Sequence, residues 1–248
     1  MPRTPRRKSA SGIYHIMLRG INQQVIFEDE RDYSKFLETL ETYKAVSGYK
    51  IYAYCLMSNH IHLLIKVDKE DLDLIMKRIA GSYVYWYNWK YYRKGHLFQD
   101  RFKSEPVEDD AYFLTVLRYI HQNPVKAGLV ETVNDYRYSS YNCYFDERNE
   151  LIDSELTLSM MNKADFINFN NESNNDVCLD IEEKDFRIND IDARKIIQEI
   201  SKCSNATEFQ NLLPKDRNEI IVKLKQRGLS IRQICRLTGI SFAIVRRI

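Results

Sequence analysis

No apolar run in this chain of 248 residues approaches the ~20 residues that a membrane span needs. The basic N-terminus, residues 1–9, has no apolar stretch behind it, so it does not read as a secretory signal. It is expected to be an arm able to touch phosphates. Cysteine is sparse: Cys55, Cys143, Cys178, Cys203 and Cys235 are odd in number and scattered, with no CxxC pair. They indicate neither a disulfide framework nor a thiolate zinc site, and a reducing cytoplasm is the expected location. No internal repeat is evident. Histidine is as scarce as cysteine, five in all, yet two of the five stand within three residues.

What is present is a soluble globular composition, 44% hydrophobic, with a strong charge asymmetry hidden under a net charge of +2. Residues 1–130 carry 20 Lys/Arg against 15 Asp/Glu, residues 131–208 carry 8 against 18, and residues 209–248 carry 9 against 2. Two basic ends bracket an acidic middle, a pattern that suits a polyanionic partner. Solvated surface charge explains the first segment equally well, and the last segment less well.

The run His60-Ile61-His62-Leu63-Leu64-Ile65-Lys66-Val67 reads as a strand. Alternation puts Ile61, Leu63, Ile65 and Val67 on one apolar face and both histidines on the other. Two imidazoles so placed can converge on one cation; a half-exposed strand with solvated histidines is the plainer alternative. Some sixty residues on, Phe113, Val116, Leu117 and Ile120 recur at helical spacing, after Asp109 and Asp110, which suit a helix start. Pro124 is expected to end this helix at about Asn123. Tyr119 and Asn123, four apart, share a face over the last turn. With His60 and His62, Asn123 would complete a three-ligand metal site beside a phenol; a core tyrosine and a capping asparagine is the alternative.

These residues resemble a known family. His60-Ile61-His62 is similar to the HUH motif (U, hydrophobic) of single-tyrosine transposases. Arg118-Tyr119-Ile120, with the run from Asn123-Pro124 to Val130, resembles the signature of the REP-associated tyrosine transposases, where REP means repetitive extragenic palindrome. Leu18-Arg19-Gly20-Ile21-Asn22, Met57-Ser58-Asn59 and Leu97-Phe98-Gln99-Asp100-Arg101-Phe102-Lys103-Ser104 agree in order and spacing, over about residues 10–140. The insertion-sequence branch tends to carry Gln four residues after the tyrosine, where this chain has Asn123, which fits the REP-associated branch.

The resemblance implies a DNA strand transferase acting on single-stranded DNA with hairpin or palindromic structure. Tyr119 would be the nucleophile and form a 5′-phosphotyrosine. His60, His62 and Asn123 would hold Mg²⁺ or Mn²⁺. Arg101 and Lys103, on the strand before the tyrosine helix, would steady the phosphate or merely line an exposed face.

The predicted elements over the first 122 residues are strand 12–20, helix 30–47, strands 49–57 and 60–67, helix 71–93, strand 98–107 and helix 110–122. This βαββαβ order suits an α+β, ferredoxin-like antiparallel sheet with two helices on one face. The histidine face is left open for the tyrosine-bearing helix. The second helix is rich in aromatics from Tyr83 to Tyr92, most of them expected in the core, with Lys90, Arg93 and Lys94 better placed for phosphates. Residues 141–208 are expected to be an acidic linker with some helix, separating a catalytic domain (1–140) from a C-terminal segment (209–248). That segment shows helices at 218–227 and 231–237, the turn Thr238-Gly239-Ile240, and a third helix opened by Ser241. This is a helix-turn-helix pattern in which Ser241, Phe242, Arg246 and Arg247 would contact duplex DNA; a helical cap is the alternative.

Two other functions fit parts of this pattern. One is a non-catalytic nucleic-acid-binding sheet, against which histidines on the open face count. The other is a transcriptional regulator whose first domain is a relic. Neither would show metal-dependent cleavage. A cytoplasmic, nucleoid-associated protein without a membrane partner is expected under all three, with homodimer formation left open.

Overall fold

In a computed structural model, the chain forms two compact units, residues 1–180 and 181–248. The structure describes residues 6–180, 190–203 and 205–248.

The first unit is built on a four-stranded antiparallel sheet in the order β2-β3-β1-β4, with β1 Ile13–Arg19, β2 Lys50–Leu56, β3 His60–Lys66 and β4 Lys103–Pro106. Two helices precede β2 and β4: α1 Glu30–Ser47 and α2 Leu72–Lys90. A third, α3 Asp110–Lys126, follows β4. The expected α+β, ferredoxin-like arrangement is present. Ile16, Leu18, Ile61, Leu63 and Ile65 alternate onto one face and join Phe36 and Leu40 of α1 and Ile75, Ile79 and Tyr83 of α2 in one buried core. Local chemistry sets the helix ends. Asp29 and Asp32 form a capping box at the start of α1, and Gly48, with φ 68°, ends it in the left-handed conformation.

Three expectations are corrected. β4 is four residues long rather than 98–107; Phe98 makes an isolated bridge with Gly20, residues 99–102 leave the ladder, and Arg101 is not on a strand. α3 runs past Pro124 to Lys126. A proline there deletes one hydrogen bond, but the following turn closes through Ala127 N–H to Asn123 O and Leu129 N–H to Pro124 O.

The third correction concerns the acidic middle, whose first part is no linker. Residues 139–153 run along the edge of β2: Ser140 N–H donates to Tyr54 O, and Asp153 N–H to Ile51 O. Tyr141, Tyr144, Ile152 and Phe166 are buried in the first unit's core. Two more helices follow, α4 Glu155–Met160 and α5 Lys163–Asn171. Asn168–Asn171, expected in a turn-rich linker, is the end of α5, and Asn170 Oδ1 bonds the buried His121 Nδ1 at 2.8 Å. Beyond it, Glu172 and Asp176 are ion-paired with Arg118 of α3, at 3.3 and 2.8 Å. Two carboxylates of the expected acidic linker thus pair with one cation on the tyrosine helix.

The N-terminal arm is docked where it is described: the Arg6 guanidinium lies 3.6 Å from the Phe102 ring centroid and pairs with Asp73. Residues 1–5 lie outside the described residues. Of the α2 aromatics, Tyr83 and Tyr87 are buried, whereas Tyr85 and Trp89 are exposed, as is Tyr92 just beyond the helix.

The second unit holds α6 Asp190–Ser201, α7 Ala206–Gln210, α8 Pro214–Gln226, α9 Ile231–Thr238 and α10 Phe242–Arg247. Ala193 and Ile197 of α6 share a core with Ile221, Leu224, Ile234 and Val245, so this unit begins before residue 209. Ser230 caps α9, and Gly239, with φ 73°, makes the turn toward α10. No helix among the described residues is long and apolar enough to cross a membrane.

Candidate active site

The antiparallel registers bring three strands' side chains to one face. Arg19 stands opposite His60, Met17 opposite both His62 and Lys103, and His15 opposite Glu105. Directly paired residues project to the same side. His15, Arg19, His60, His62, Lys103 and Glu105 therefore share the face that α3 covers, where α3 packs on β2 and β3.

Tyr119 descends from α3 onto the histidines. Its ring centroid lies 5.7 Å from that of His62 and 5.9 Å from that of His15, both edge-on. The phenol is 4% exposed and donates its hydrogen bond to the Asp180 carboxylate. Burial, then Asp180, push its pKa well above the ordinary phenol value. Lys126, two turns on from Tyr119, places Nζ 5.0 Å from the same ring. Tyr112 faces Glu105 and Cys178 instead.

His60 and His62 are held neutral. Burial lowers both pKa values, and for His62 the neighbouring His60 and His15 add to the effect. Neutral imidazoles are the form that ligates metals. His60 Nδ1 lies 2.7 Å from Asn59 Oδ1, and His60 Nε2 faces Asn123 Oδ1 at 3.3 Å. With Nδ1–H donating to Asn59, Nε2 carries a lone pair set against a carbonyl oxygen. Two acceptors converging in this way are satisfied by a cation between them. His62 Nε2, on the same face, is buried with no hydrogen-bond partner. Two imidazoles and an amide oxygen therefore fit a divalent ion of borderline hardness. No three His, Cys, Asp or Glu side chains gather as a metal site among the described residues; the third donor here is an amide.

Of the residues singled out in the sequence, Tyr119, His60, His62 and Asn123 come together. Lys103 shares their sheet face. Arg101 lies apart, exposed and 3.7 Å from Asp73. Ser241, Phe242, Arg246 and Arg247 are all exposed on the second unit, around the buried Val245. The sequence reading missed His15, Asp180 and Lys126. His15 had a usable signal, a histidine alternating with Met17 and Arg19 on the first strand. Asp180 had none, because 61 residues separate it from its partner.

Known proteins are similar to this chain in sequence and in fold. Residues 8–123 match the family model described as "Transposase IS200 like". A Haemophilus influenzae protein, named by inference as a REP-associated tyrosine transposase, is 32% identical over 120 residues. The match takes in 44% of this chain and 65% of that protein, a little under two thirds of its length. The fold matches a solved REP-associated tyrosine transposase bound to a REP hairpin, with a TM-score of 0.52 and 18% identity, over 58% of this chain and 86% of that one. Residues 8–123 of this chain are therefore similar to the IS200-like transposase family, over a little under half of the chain.

Proposed function

We propose that this chain cuts and rejoins single-stranded DNA at hairpin-forming elements, through a covalent link to Tyr119. The observation that carries the reading is a buried phenol packed edge-on against His62, whose Nε2 has no hydrogen-bond partner, on the face where His60 Nε2 meets Asn123 Oδ1. The solved relative's REP hairpin supports the choice of DNA substrate.

Tyr119 Oη attacks the phosphorus of a phosphodiester, and the P–O3′ bond breaks. The products are a 5′-phosphotyrosine and a free 3′-hydroxyl. The phenolic proton passes to the Asp180 carboxylate, which already accepts its hydrogen bond; the departing 3′ oxygen takes a proton from solvent. A divalent ion on His60, His62 and Asn123 would supply Lewis-acid stabilisation of the phosphate charge. Lys126, and Lys103 on the same sheet face, add positive charge near the reacting group. One phosphodiester is exchanged for another, so a 3′-hydroxyl can reverse the step without ATP. The second unit offers duplex DNA the exposed Ser241, Phe242, Arg246 and Arg247.

The test is incubation with Mn²⁺ and hairpin oligonucleotides carrying single-stranded flanks. A protein–DNA adduct that survives denaturation is expected. DNA binding without an adduct, at any divalent ion, would favour a non-catalytic DNA-binding protein.

A further inference from the structure

Two buried imidazole nitrogens on the site face have no hydrogen-bond partner: His62 Nε2 and His15 Nδ1. The remaining nitrogens of the same rings meet each other, His15 Nε2 and His62 Nδ1 lying 3.0 Å apart. Both rings are fully buried, so both are neutral and one proton lies between them. That proton belongs to either ring. If His15 Nε2 carries it, the proton of His62 sits on Nε2, and that nitrogen cannot ligate a metal. If His62 Nδ1 carries it, His62 Nε2 keeps a bare lone pair. Each arrangement leaves one buried N–H and one buried lone pair unpaired, so the pair alone has no preference.

Glu105 removes the degeneracy. It stands opposite His15 in the β1–β4 register, on the same face, and its Oε2 is buried without a hydrogen-bond partner. A carboxylate oxygen favours an N–H opposite it and disfavours a lone pair. The proton of His15 is therefore drawn to Nδ1, which makes Nε2 the acceptor for His62.

We propose that Glu105 and His15 are positioning residues that hold His62 with its proton on Nδ1 and its Nε2 lone pair turned toward a divalent cation. The proposal rests on the reading of His60, His62 and Asn123 as a metal site, and it adds the groups behind the first ligands. Such outer partners fix the tautomer and orientation of ligating imidazoles.

The test uses the full chain. In the metal-free protein, ¹⁵N spectra of the ring nitrogens should show His62 protonated at Nδ1. His15→Phe keeps a ring of similar shape but offers no acceptor. It should move the proton of His62 to Nε2 and weaken Mn²⁺ binding, read by the electron paramagnetic resonance of free Mn²⁺, about 10–100-fold. His15→Gln, which sets an amide oxygen near the former Nε2, should recover most of the loss. Glu105→Gln should weaken Mn²⁺ in the same direction, because an amide can turn its NH₂ to His15. A wild-type His62 protonated at Nε2, or His15→Phe binding Mn²⁺ as tightly as wild type, overturns the proposal. If His15→Phe does not fold, the wild-type tautomer and His15→Gln decide it. A wild-type protein with the expected tautomer but no Mn²⁺ affinity instead fails the metal reading, and the proposal with it.

Discussion

Tyr119 can act as a nucleophile only if its hydroxyl is used for more than packing. Tyr119→Phe removes one oxygen from a ring held edge-on by His15 and His62, so the fold should survive and adducts should fall below detection. Tyr112, seven residues earlier on α3, is the control. Its phenol faces Glu105 and Cys178 rather than the histidines, and Tyr112→Phe should leave adduct formation near wild type. Adducts that persist in Tyr119→Phe and vanish in Tyr112→Phe would reverse the assignment. The ligands should differ in weight. His62→Ala should abolish cleavage and most Mn²⁺ affinity, whereas Asn123→Ala should lose less, since water can replace an amide oxygen. EDTA should stop wild-type cleavage and added Mn²⁺ restore it; undiminished cleavage in EDTA would remove the metal role from His60, His62 and Asn123. These four residues were legible in the sequence because their spacings are local, two apart on a strand and four apart on a helix. His15 had only its alternation with Met17 and Arg19 on the first strand to mark it, and Glu105 and Asp180 had no signal, because strand register and a distant segment bring them to the site.

Among the elements, α5 was the least legible and carries a clear consequence. Its residues are polar and rich in Asn, a composition that suggests a linker. Yet Phe166 is fully buried, stacked 4.4 Å from the Tyr144 ring and 5.6 Å from that of Tyr141. Asn170 ties α5 to α3 through His121, and its carbonyl accepts from Gln122 Nε2 at 2.8 Å. A single buried aromatic and a few asparagine bonds are thus enough to attach the helix, too few to register as periodicity. Phe166→Ala should destabilise the first unit by about 3–5 kcal/mol, the usual loss for a buried Phe, in chemical denaturation. A change within about 0.5 kcal/mol, typical of a surface site, would show that α5 is not part of this core. The strands and α1 were legible because alternation and caps are local. The length of β4 was not, because residues 98–102 look equally strand-like and only the pairing with β1 decides which of them join the ladder.

At the scale of the whole molecule, the boundary at 180 changes which fragment can be tested. Residues 1–140 lack Tyr141, Tyr144, Ile152 and Phe166, and would leave the β2 edge and the underside of α3 uncovered. That fragment should be insoluble, and residues 1–180 should fold. Charge divides along the same boundary: residues 1–180 carry 23 Lys/Arg against 26 Asp/Glu, and residues 181–248 carry 14 against 9. The first unit is thus slightly acidic overall, and the excess of positive charge lies with the second unit. Sequence-independent duplex affinity comes from cations on phosphates, each worth about 0.9 in the slope of log affinity against log salt. Deleting residues 181–248 should therefore lower duplex affinity and flatten its salt dependence by roughly that amount for each phosphate left without its cation. Cleavage of a single-stranded hairpin substrate at saturation should change little, because His60, His62, Tyr119, Asn123 and Asp180 all remain. A salt titration of both chains on duplex and single-stranded DNA measures this directly. Equal duplex affinity at every salt concentration would make α6–α10 a structural cap. Loss of cleavage by a folded 1–180 chain would instead make the second unit part of the catalytic machinery.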